Sequence, residues 1–297
     1  MNEIFVKARN FILSNARLLE RRLFQVHFEG ESSDCVGQIV RAYHNSDGGL
    51  GHALEPDVRC PESQPIFVDT GLTALEEAEC RDIKLAESLC NYLQSVSDKD
   101  GLVPFFQETA LQSPIAGHWE NPNLTPGFSP SGTPGFNPTA EICGLLHYQG
   151  VQHDWLSLAT ETCCNMILDD PPPEAHYLYC ASRLVEYLPD RVMAMKILDT
   201  IASVLPEARF FMPNAPVKTY GLTPLHFAPK PDSIFRALFI QDQIDGHLED
   251  LVGKQQADGG WPIFWEAPGP ASELEWRGRW TLDAICRLAA YGVICSE

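Results

Sequence analysis

Residues 255–292, QQADGGWPIFWEAPGPASELEWRGRWTLDAICRLAAYG, decide how this chain folds. Apolar residues at helical spacing predict a helix over residues 246–256, immediately before the turn. The Asp258-Gly259-Gly260 turn ends that helix, because each glycine costs about 1 kcal/mol in a helix and readily adopts a positive φ. Prolines keep the next crossing non-helical, and a second helical pattern begins near Trp276. The stretch therefore predicts a helix, a glycine turn, a crossing and a helix.

Two further copies of this pattern occur earlier in the chain. Residues 45–51, NSDGGLG, form a second copy, and residues 98–102, DKDGL, form a degenerate third. Together with 255–261, QQADGGW, they resemble the QxxDGGxG/W repeats of terpenoid cyclases and of protein prenyltransferase β subunits. The resemblance implies their fold, an α/α toroid in which outer helices surround a ring of inner helices. The fold alone does not name a reaction.

Periodicity along the rest of the chain predicts an all-α protein of five to six helical hairpins. No flexible linker interrupts the pattern, so residues 1–297 are expected to form a single domain. The alternatives are an (α/α)6 glycosidase-like barrel and a helical-repeat solenoid. The predicted helices cover residues 3–28, 35–43, 66–78, 83–96, 137–149, 155–168, 173–187, 191–204, 232–239 and 246–256, with a last one from about 276. The Pro- and Gly-rich segment 103–138 is either a lid that lines a site or a surface excursion.

Charge and cysteine usage restrict the partners and the compartment. The chain has 21 basic and 40 acidic residues and a net charge of −19, which counts against nucleic acid and anionic membranes as partners. Its ten cysteines form no CxxC pair, so we expect free core thiols in a reducing cytoplasm. The N-terminal residues alternate between apolar and charged, unlike a signal peptide, and no segment predicts a transmembrane helix.

The main catalytic candidates lie in the charged crossing after the first glycine turn. Glu55 and Asp57 flank Pro56 and could serve as acid and base if burial separated their pKa values. Arg59 could instead neutralise one of them in a purely structural pair. Asp232 is a further catalytic candidate, with helix capping as its simpler role.

In a toroid, the crossings and the starts of the inner helices meet at one mouth of the ring. The predicted inner helices start at residues 62–63, 137–139, 174–176, 232–233 and 275–276. Arg277 or Arg279 could hold an anion there or pair with Glu55 or Asp57 across the ring. The expected substrate-binding residues at this mouth are Arg59, His118, Trp119, His176, Tyr179, His226, Trp276, Arg277 and Trp280.

The motifs that supply metal or acid chemistry in the resembled families are incomplete in this chain. No DxDD sequence, the proton donor of class II cyclases, is present. Trp280 stands near the position at which the resemblance would place the zinc-binding histidine of prenyltransferases. Asp57 and Cys60 alone are a weak zinc site. We therefore predict no metal and no cofactor.

The resemblance favours an enzyme like a terpenoid cyclase or prenyltransferase that acts on an apolar, isoprenoid-like small molecule in a central cavity. Aromatic side chains would suit a cationic intermediate there. Two other classes stay open: a toroidal glycan lyase or hydrolase, and a non-catalytic binding or scaffold toroid. A deep aromatic cavity would favour the first, and an open groove with tryptophans the second.

Overall fold

Helices account for most of the chain in the computed structural model, which describes residues 2–120 and 133–295. Two short strands, β1 (Val103–Pro104) and β2 (Pro134–Gly135), pair antiparallel. Single 3-10 turns lie at Glu108–Gln112, Leu205–Glu207 and Arg236–Leu238. The α-helices of the described residues are α1 (Glu3–Asn15), α2 (Leu18–Glu29), α3 (Asp34–Ala42), α4 (Pro65–Glu77), α5 (Ile83–Val96), α6 (Gly117–Glu120), α7 (Phe136–Gln149), α8 (Asp154–Asp169), α9 (Ala175–Tyr187), α10 (Arg191–Val204), α11 (Pro224–Phe227), α12 (Gln241–Gly253) and α13 (Pro270–Ala290).

Local signals place most helix boundaries as predicted. The bounds of α5 and α10 agree with the prediction, because Asp82 and Asp190 cap them by accepting backbone N–H bonds. Gly150, at φ +80°, ends α7 after Gln149. The all-α prediction is confirmed at this level.

The prediction of one helix over residues 3–28 is wrong. The chain is extended at Ala16 and Arg17, which separates α1 from α2. A Cβ on Gly278 of α13 would lie 2.6 Å from the Ala16 Cβ, so α13 packs directly against the break. The Arg17 side chain turns inward to Glu20. Tertiary contacts have overridden helix propensity here.

Three predicted helix starts are also corrected. Helix α12 begins at Gln241 rather than at residue 246, and it ends at Gly253 rather than at residue 256. Asp232 is exposed and caps no helix, since residues 233–239 contain only the 3-10 turn Arg236–Leu238. The last helix begins at Pro270 rather than near Trp276, because proline at the first position needs no hydrogen-bond acceptor.

The glycine turns share one backbone structure. In the turns at residues 45–49 and 256–260, the N–H of the first residue donates to the carbonyl of the fifth at 2.9 Å. In both, the aspartate at the third position accepts the N–H of the fifth residue, at 3.0 and 3.1 Å. The degenerate turn at residues 98–102 closes with the same 2.9 Å bond. The sequence repeat is therefore a structural repeat.

Each turn packs through its fourth residue against a helix from another part of the chain. Gly48, Gly101 and Gly259 have φ of +91°, +82° and +95°, which favours glycine. A Cβ on the first would lie 3.1 Å from a backbone oxygen of α5, and one on the second 3.1 Å from a backbone nitrogen of α8. A Cβ on Gly259 would lie 2.3 Å from the Lys7 carbonyl of α1. The last turn thus packs against the first helix.

The contacts between helices run in chain order and return to the first two helices. Helix α2 contacts α4, α4 contacts α7, α7 contacts α9, and α9 contacts α11. Helix α11 contacts α12, α12 contacts α13, and α13 contacts both α1 and α2. Apolar side chains between these helices form the core, including Trp261, which is 2 % exposed. Within the described ranges, no helix has the length and apolar character needed to cross a membrane.

Candidate functional site

The crossing at residues 52–61 is a tight, strained loop. His52 and Ala53 lie in the left-handed region, at φ +59° and +57°. Their N–H groups donate to the carbonyls of Pro61 and Cys60 at 3.1 and 3.0 Å. Left-handed conformations of residues other than glycine cost free energy and concentrate at functional sites. The chain reverses direction between these hydrogen bonds, and residues 54–58 inside the loop are all buried.

Contacts from two other parts of the chain fix this loop. The Ala116 N–H donates to the Asp57 carbonyl at 2.9 Å. The Ser272 hydroxyl of α13 donates to the Pro56 carbonyl at 2.6 Å. The loop is therefore held between the segment before α6 and the start of α13.

Both carboxyl groups of the loop are buried, and burial raises the pKa of each. Glu55 is 5 % exposed and Asp57 2 % exposed. Burial, followed by the charge of Asp57, holds the pKa of Glu55 well above its usual range. Its Oε2 accepts the Asp57 N–H at 2.8 Å, which directs this carboxyl toward its own loop.

Asp57 is the carboxyl that faces the aromatic side chains. Burial raises its pKa to about 6, and the nearby indole N–H groups of Trp265 and Trp276 partly offset that rise. Neither indole makes a direct hydrogen bond to the carboxylate. The His118 Nε2 lies 3.7 Å from Asp57 Oδ2, and burial lowers the pKa of His118 to about 4. At neutral pH the pair is therefore mostly a carboxylate beside a neutral imidazole.

An aromatic cluster centred on Trp265 covers this carboxylate. The Trp265 ring lies 5.2 Å from Trp276 and 6.1 Å from Trp280, measured between ring centroids. Tyr220 lies 5.7 Å and His118 6.5 Å from the same ring. Trp265 is thus shared between the acidic loop, α13 and the crossing before α11.

Several polar atoms in this cluster are buried without a hydrogen-bond partner among the residues that the structure describes. They are the Nε1 atoms of Trp265, Trp276 and Trp280 and the Oδ1 atom of Asp57. By contrast, the indoles of Trp155 and Trp261 donate to backbone carbonyls at 3.1 and 2.8 Å. Buried donors without acceptors cost free energy, so a site that holds three of them is prepared for a ligand with acceptor oxygens.

A series of hydrogen bonds connects the Tyr220 hydroxyl to His176 and Glu174. The Tyr220 hydroxyl lies 2.8 Å from His176 Nε2, and Glu174 Oε1 lies 2.5 Å from His176 Nδ1. Glu174 also caps α9 by accepting the N–H groups of His176 and Tyr177. This bears out residues 174–176 as the start of a helix, and it orients Tyr220 toward Trp265.

Arg59 does not neutralise either catalytic candidate. It forms a bidentate pair with Glu275 of α13, at 2.5 Å for the shorter contact, rather than with Glu55 or Asp57. The predicted pairing of Arg59 within the loop is therefore wrong, because α13 brings a carboxylate from 216 residues away.

The two arginines of α13 serve other parts of the fold. Arg277 binds both carboxylate oxygens of Asp258 at 2.8 Å and so clamps the last glycine turn. Arg279 pairs with Glu77 of α4 and with Asp283. The expectation that either arginine pairs with the acidic loop is not met.

The remaining candidates divide into two groups. The structure places near one another, in the aromatic cluster and its edge, Asp57, His118, Trp119, His176, His226, Trp276 and Trp280. Tyr179 packs edge-on against Phe227 instead, and Asp232 is on the surface. Trp265 and Tyr220 were missed, since crossing residues carry no periodic signal. Residues 121–132 of the predicted lid segment lie outside the described residues.

No group of three or more His, Cys, Asp or Glu side chains is arranged to hold a metal ion in residues 2–120 and 133–295. Burial raises the pKa of the Cys60 thiol to about 11, and its Sγ contacts the Glu62 carbonyl. A thiol with that pKa is protonated at neutral pH, whereas zinc binds the thiolate. Our expectation of no bound zinc remains a prediction, and elemental analysis of chelator-free protein is its test.

Replacing Asp57 by Asn should change how stability depends on pH. A pKa of about 6 in the folded state, above the ordinary value of 3.8, contributes stability at low pH that is lost as pH rises through 6. Between pH 5 and pH 8 the wild type should lose about 1.4 kcal/mol relative to Asp57→Asn. Urea denaturation at both pH values measures this difference, and identical pH dependence in the two proteins would contradict the raised pKa.

The sequence matches no protein-family model, no curated protein and no solved structure to which it was compared.

Proposed function

We propose that this chain is an acid–base enzyme that acts on a small, uncharged, oxygen-rich molecule such as a glycoside, with Asp57 as the group that exchanges the proton. The observation that carries the proposal is the juxtaposition of Asp57 with buried indole N–H groups that have no acceptor. We further propose that the helices form an α/α toroid and that this site lies at one mouth of the ring.

The toroid is supported by the return of the helix contacts to their start. The order α2, α4, α7, α9, α11 and α12 leads to α13, which contacts α1 and α2 again. The repeated turns give independent support, because Gly259 packs on α1 as the earlier turns pack on α5 and α8. A solenoid would leave the last turn without such a partner.

The pKa of Asp57 suits proton transfer at neutral pH. A catalytic acid or base is most effective when its pKa lies near the working pH, and that of Asp57 is about 6. Glu55, whose pKa burial holds well above its usual range, accepts the Asp57 N–H and acts as a positioning residue that holds the loop. The two carboxyl groups thus have different roles because Glu55 bonds to its own loop and Asp57 faces the aromatic side chains.

The polar atoms around Asp57 favour a substrate that bears oxygen. A substrate oxygen could accept from Trp265 or Trp276, and a substrate hydroxyl could donate to the unpartnered Oδ1 of Asp57. As charge develops on that oxygen, preorganised N–H donors would stabilise it. Arg59 is occupied by Glu275, so the loop offers little for a diphosphate to bind.

The shape beside the cluster also favours this class. A partly open groove of about 480 Å³ runs along Trp265 and is lined by Glu266, Glu273 and Arg277. An accessible groove with an aromatic side chain and carboxylates along its wall is suited to a polyhydroxylated molecule, whose rings stack and whose hydroxyls donate.

Replacing Asp57 by Asn tests the proposal directly. Turnover of a panel of p-nitrophenyl glycosides should fall by at least about 100-fold, the usual contribution of a general acid or base. The wild-type rate should show a limb near pH 6, while Arg59→Lys, which keeps a charge opposite Glu275, should retain most activity. Unchanged turnover in Asp57→Asn would remove this residue from the mechanism.

An isoprenoid-like substrate is the second candidate. The aromatic faces of Trp265, Trp276, Trp280 and Tyr220 favour it, because such faces stabilise carbocations. Conversion of an isoprenoid epoxide, with no turnover of any glycoside, would select it over the first proposal. The epoxide oxygen would then take the place that we assign to a glycosidic oxygen.

A further inference from the structure

A second, smaller cavity lies between α11, α12 and α13, behind the aromatic cluster. Its volume is about 50 Å³, and its lining includes Arg287, Trp280, His226 and His247. It shares with the cluster around Asp57 the Trp280 ring, 6.1 Å from Trp265, and at the edge of the cluster His226, 6.0 Å from Trp280. The cavity is therefore a neighbour of the proposed catalytic site and has a different lining.

The tautomer of His226 can be assigned from its hydrogen bonds. Its Nδ1 accepts the Thr223 N–H at 2.9 Å, so Nδ1 carries no proton. Burial, with Arg287 next in size, holds the pKa of His226 well below its usual range, so the imidazole is neutral. The proton must then lie on Nε2, which makes His226 a second N–H donor beside the unpartnered Nε1 of Trp280.

Arg287 supplies a positive charge that the described protein does not neutralise directly. It makes no ion pair or side-chain hydrogen bond with any residue of the described ranges. Asp283, the carboxylate that it influences on its own helix, is paired with Arg279 at 2.7 Å. The other charges of the lining, Asp250 and Lys254, pair with each other at 2.6 Å.

The lining thus has a net charge of about +1 inside a chain whose net charge is −19. A guanidinium, an indole N–H and an imidazole N–H around one small cavity match the acceptors of an oxyanion.

We propose that this cavity binds a carboxylate group of a small molecule, held by Arg287 and by the N–H donors of Trp280 and His226. One unneutralised guanidinium balances one negative charge, which fits a carboxylate better than a dianionic phosphate. Leu225, Leu251 and Phe264 complete the lining and suit a short apolar stem on that carboxylate. The inference goes beyond the proposed function and does not require Asp57 to be catalytic.

The six tryptophans provide the test, because each indole N–H gives one resonance in a nitrogen-resolved spectrum. Trp→Phe variants assign the resonances, and the wild type is titrated with propionate and with its uncharged isostere propionamide. The Trp280 resonance should shift saturably with propionate and at least about tenfold more weakly with propionamide, as expected for hydrogen bonds to a charged group. Trp155, which is already bonded to the Gly101 carbonyl and lies outside the lining of the cavity, should stay fixed.

Variants of Arg287 identify the anchor. Arg287→Gln should weaken propionate binding at least about tenfold. Arg287→Lys should bind propionate with intermediate strength, because lysine keeps the positive charge but lacks the paired N–H donors of the guanidinium. An unchanged Trp155 resonance shows that each variant is folded. If Arg287→Gln does not fold, Arg287→Lys and the two wild-type titrations still decide.

Three results would overturn the proposal: equal responses to propionate and propionamide, unchanged propionate binding in the Arg287 variants, or tighter binding of inorganic phosphate. Failure of the proposed function is a separate observation, namely unchanged glycoside turnover in Asp57→Asn.

Discussion

Arg17→Met is expected to destabilise the protein by about 3–5 kcal/mol, the usual cost of leaving one member of a buried ion pair without its partner. The Glu20 side chain is 1 % exposed, and its counter-ion Arg17 is 11 % exposed. Arg17 also donates to the Leu54 carbonyl at 2.7 Å, so the variant loses a hydrogen bond that holds the residue directly before Glu55. The melting temperature should fall by several degrees or more.

Arg9→Met is the matched control for that variant. Arg9 pairs with Glu29, and their side chains are 40 % and 30 % exposed, so the pair should contribute no more than about 1 kcal/mol. Thermal melts of the two variants compare the loss of stability when arginine is removed from a buried ion pair and from an exposed one. Equal losses of stability would mean that the Arg17 pair is not buried as described.

Gly259→Ala is expected to destabilise the protein by about 2–4 kcal/mol, through overpacking added to the strain of a left-handed residue. The new Cβ would lie 2.3 Å from the Lys7 carbonyl. The contact is between the backbone of the turn and the backbone of α1, so neither can move aside easily. The contact joins the last turn to the first helix, so the variant weakens the closure that we propose for the ring.

Gly30→Ala separates the two contributions. Gly30 has φ +72°, yet an added Cβ there meets no atom within 4 Å, so only the backbone strain of about 1 kcal/mol applies. Urea denaturation of both variants gives the packing contribution by difference. If Gly259→Ala is no more destabilising than Gly30→Ala, the last turn does not pack closely on α1.

The sequence predicts the parts of the fold that local signals determine. The bounds of α5 follow from the Asp82 cap and a helical apolar pattern, and the glycine turns follow from residues that favour positive φ. The break at Ala16 has no such signal, because alanine and arginine are good helix formers. It arises from the close approach of Gly278, which is distant in sequence.

The candidate site divides in the same way. Glu55 and Asp57 are recognisable from their charge in a crossing beside a glycine turn. The partner of Arg59 is not recognisable from the sequence, because Glu275 is 216 residues away and only the packing of α13 brings it near. Trp265 lies in a proline-broken crossing whose conformation no periodicity describes. Arg287 lies in an ordinary helical pattern, and only the three-dimensional structure shows that it has no ion-pair partner among residues 2–120 and 133–295.

The most direct test of the acid–base site is the titration of the Asp57 carboxyl carbon, followed by NMR with carbon-13 label and assigned through Asp57→Asn. Burial beneath the aromatic cluster predicts an apparent pKa of about 6 for Asp57, with the Glu55 carboxyl titrating well above its ordinary range. Titration of both groups near the ordinary carboxyl values would mean that the loop is solvated, and it would contradict the proposed role of Asp57.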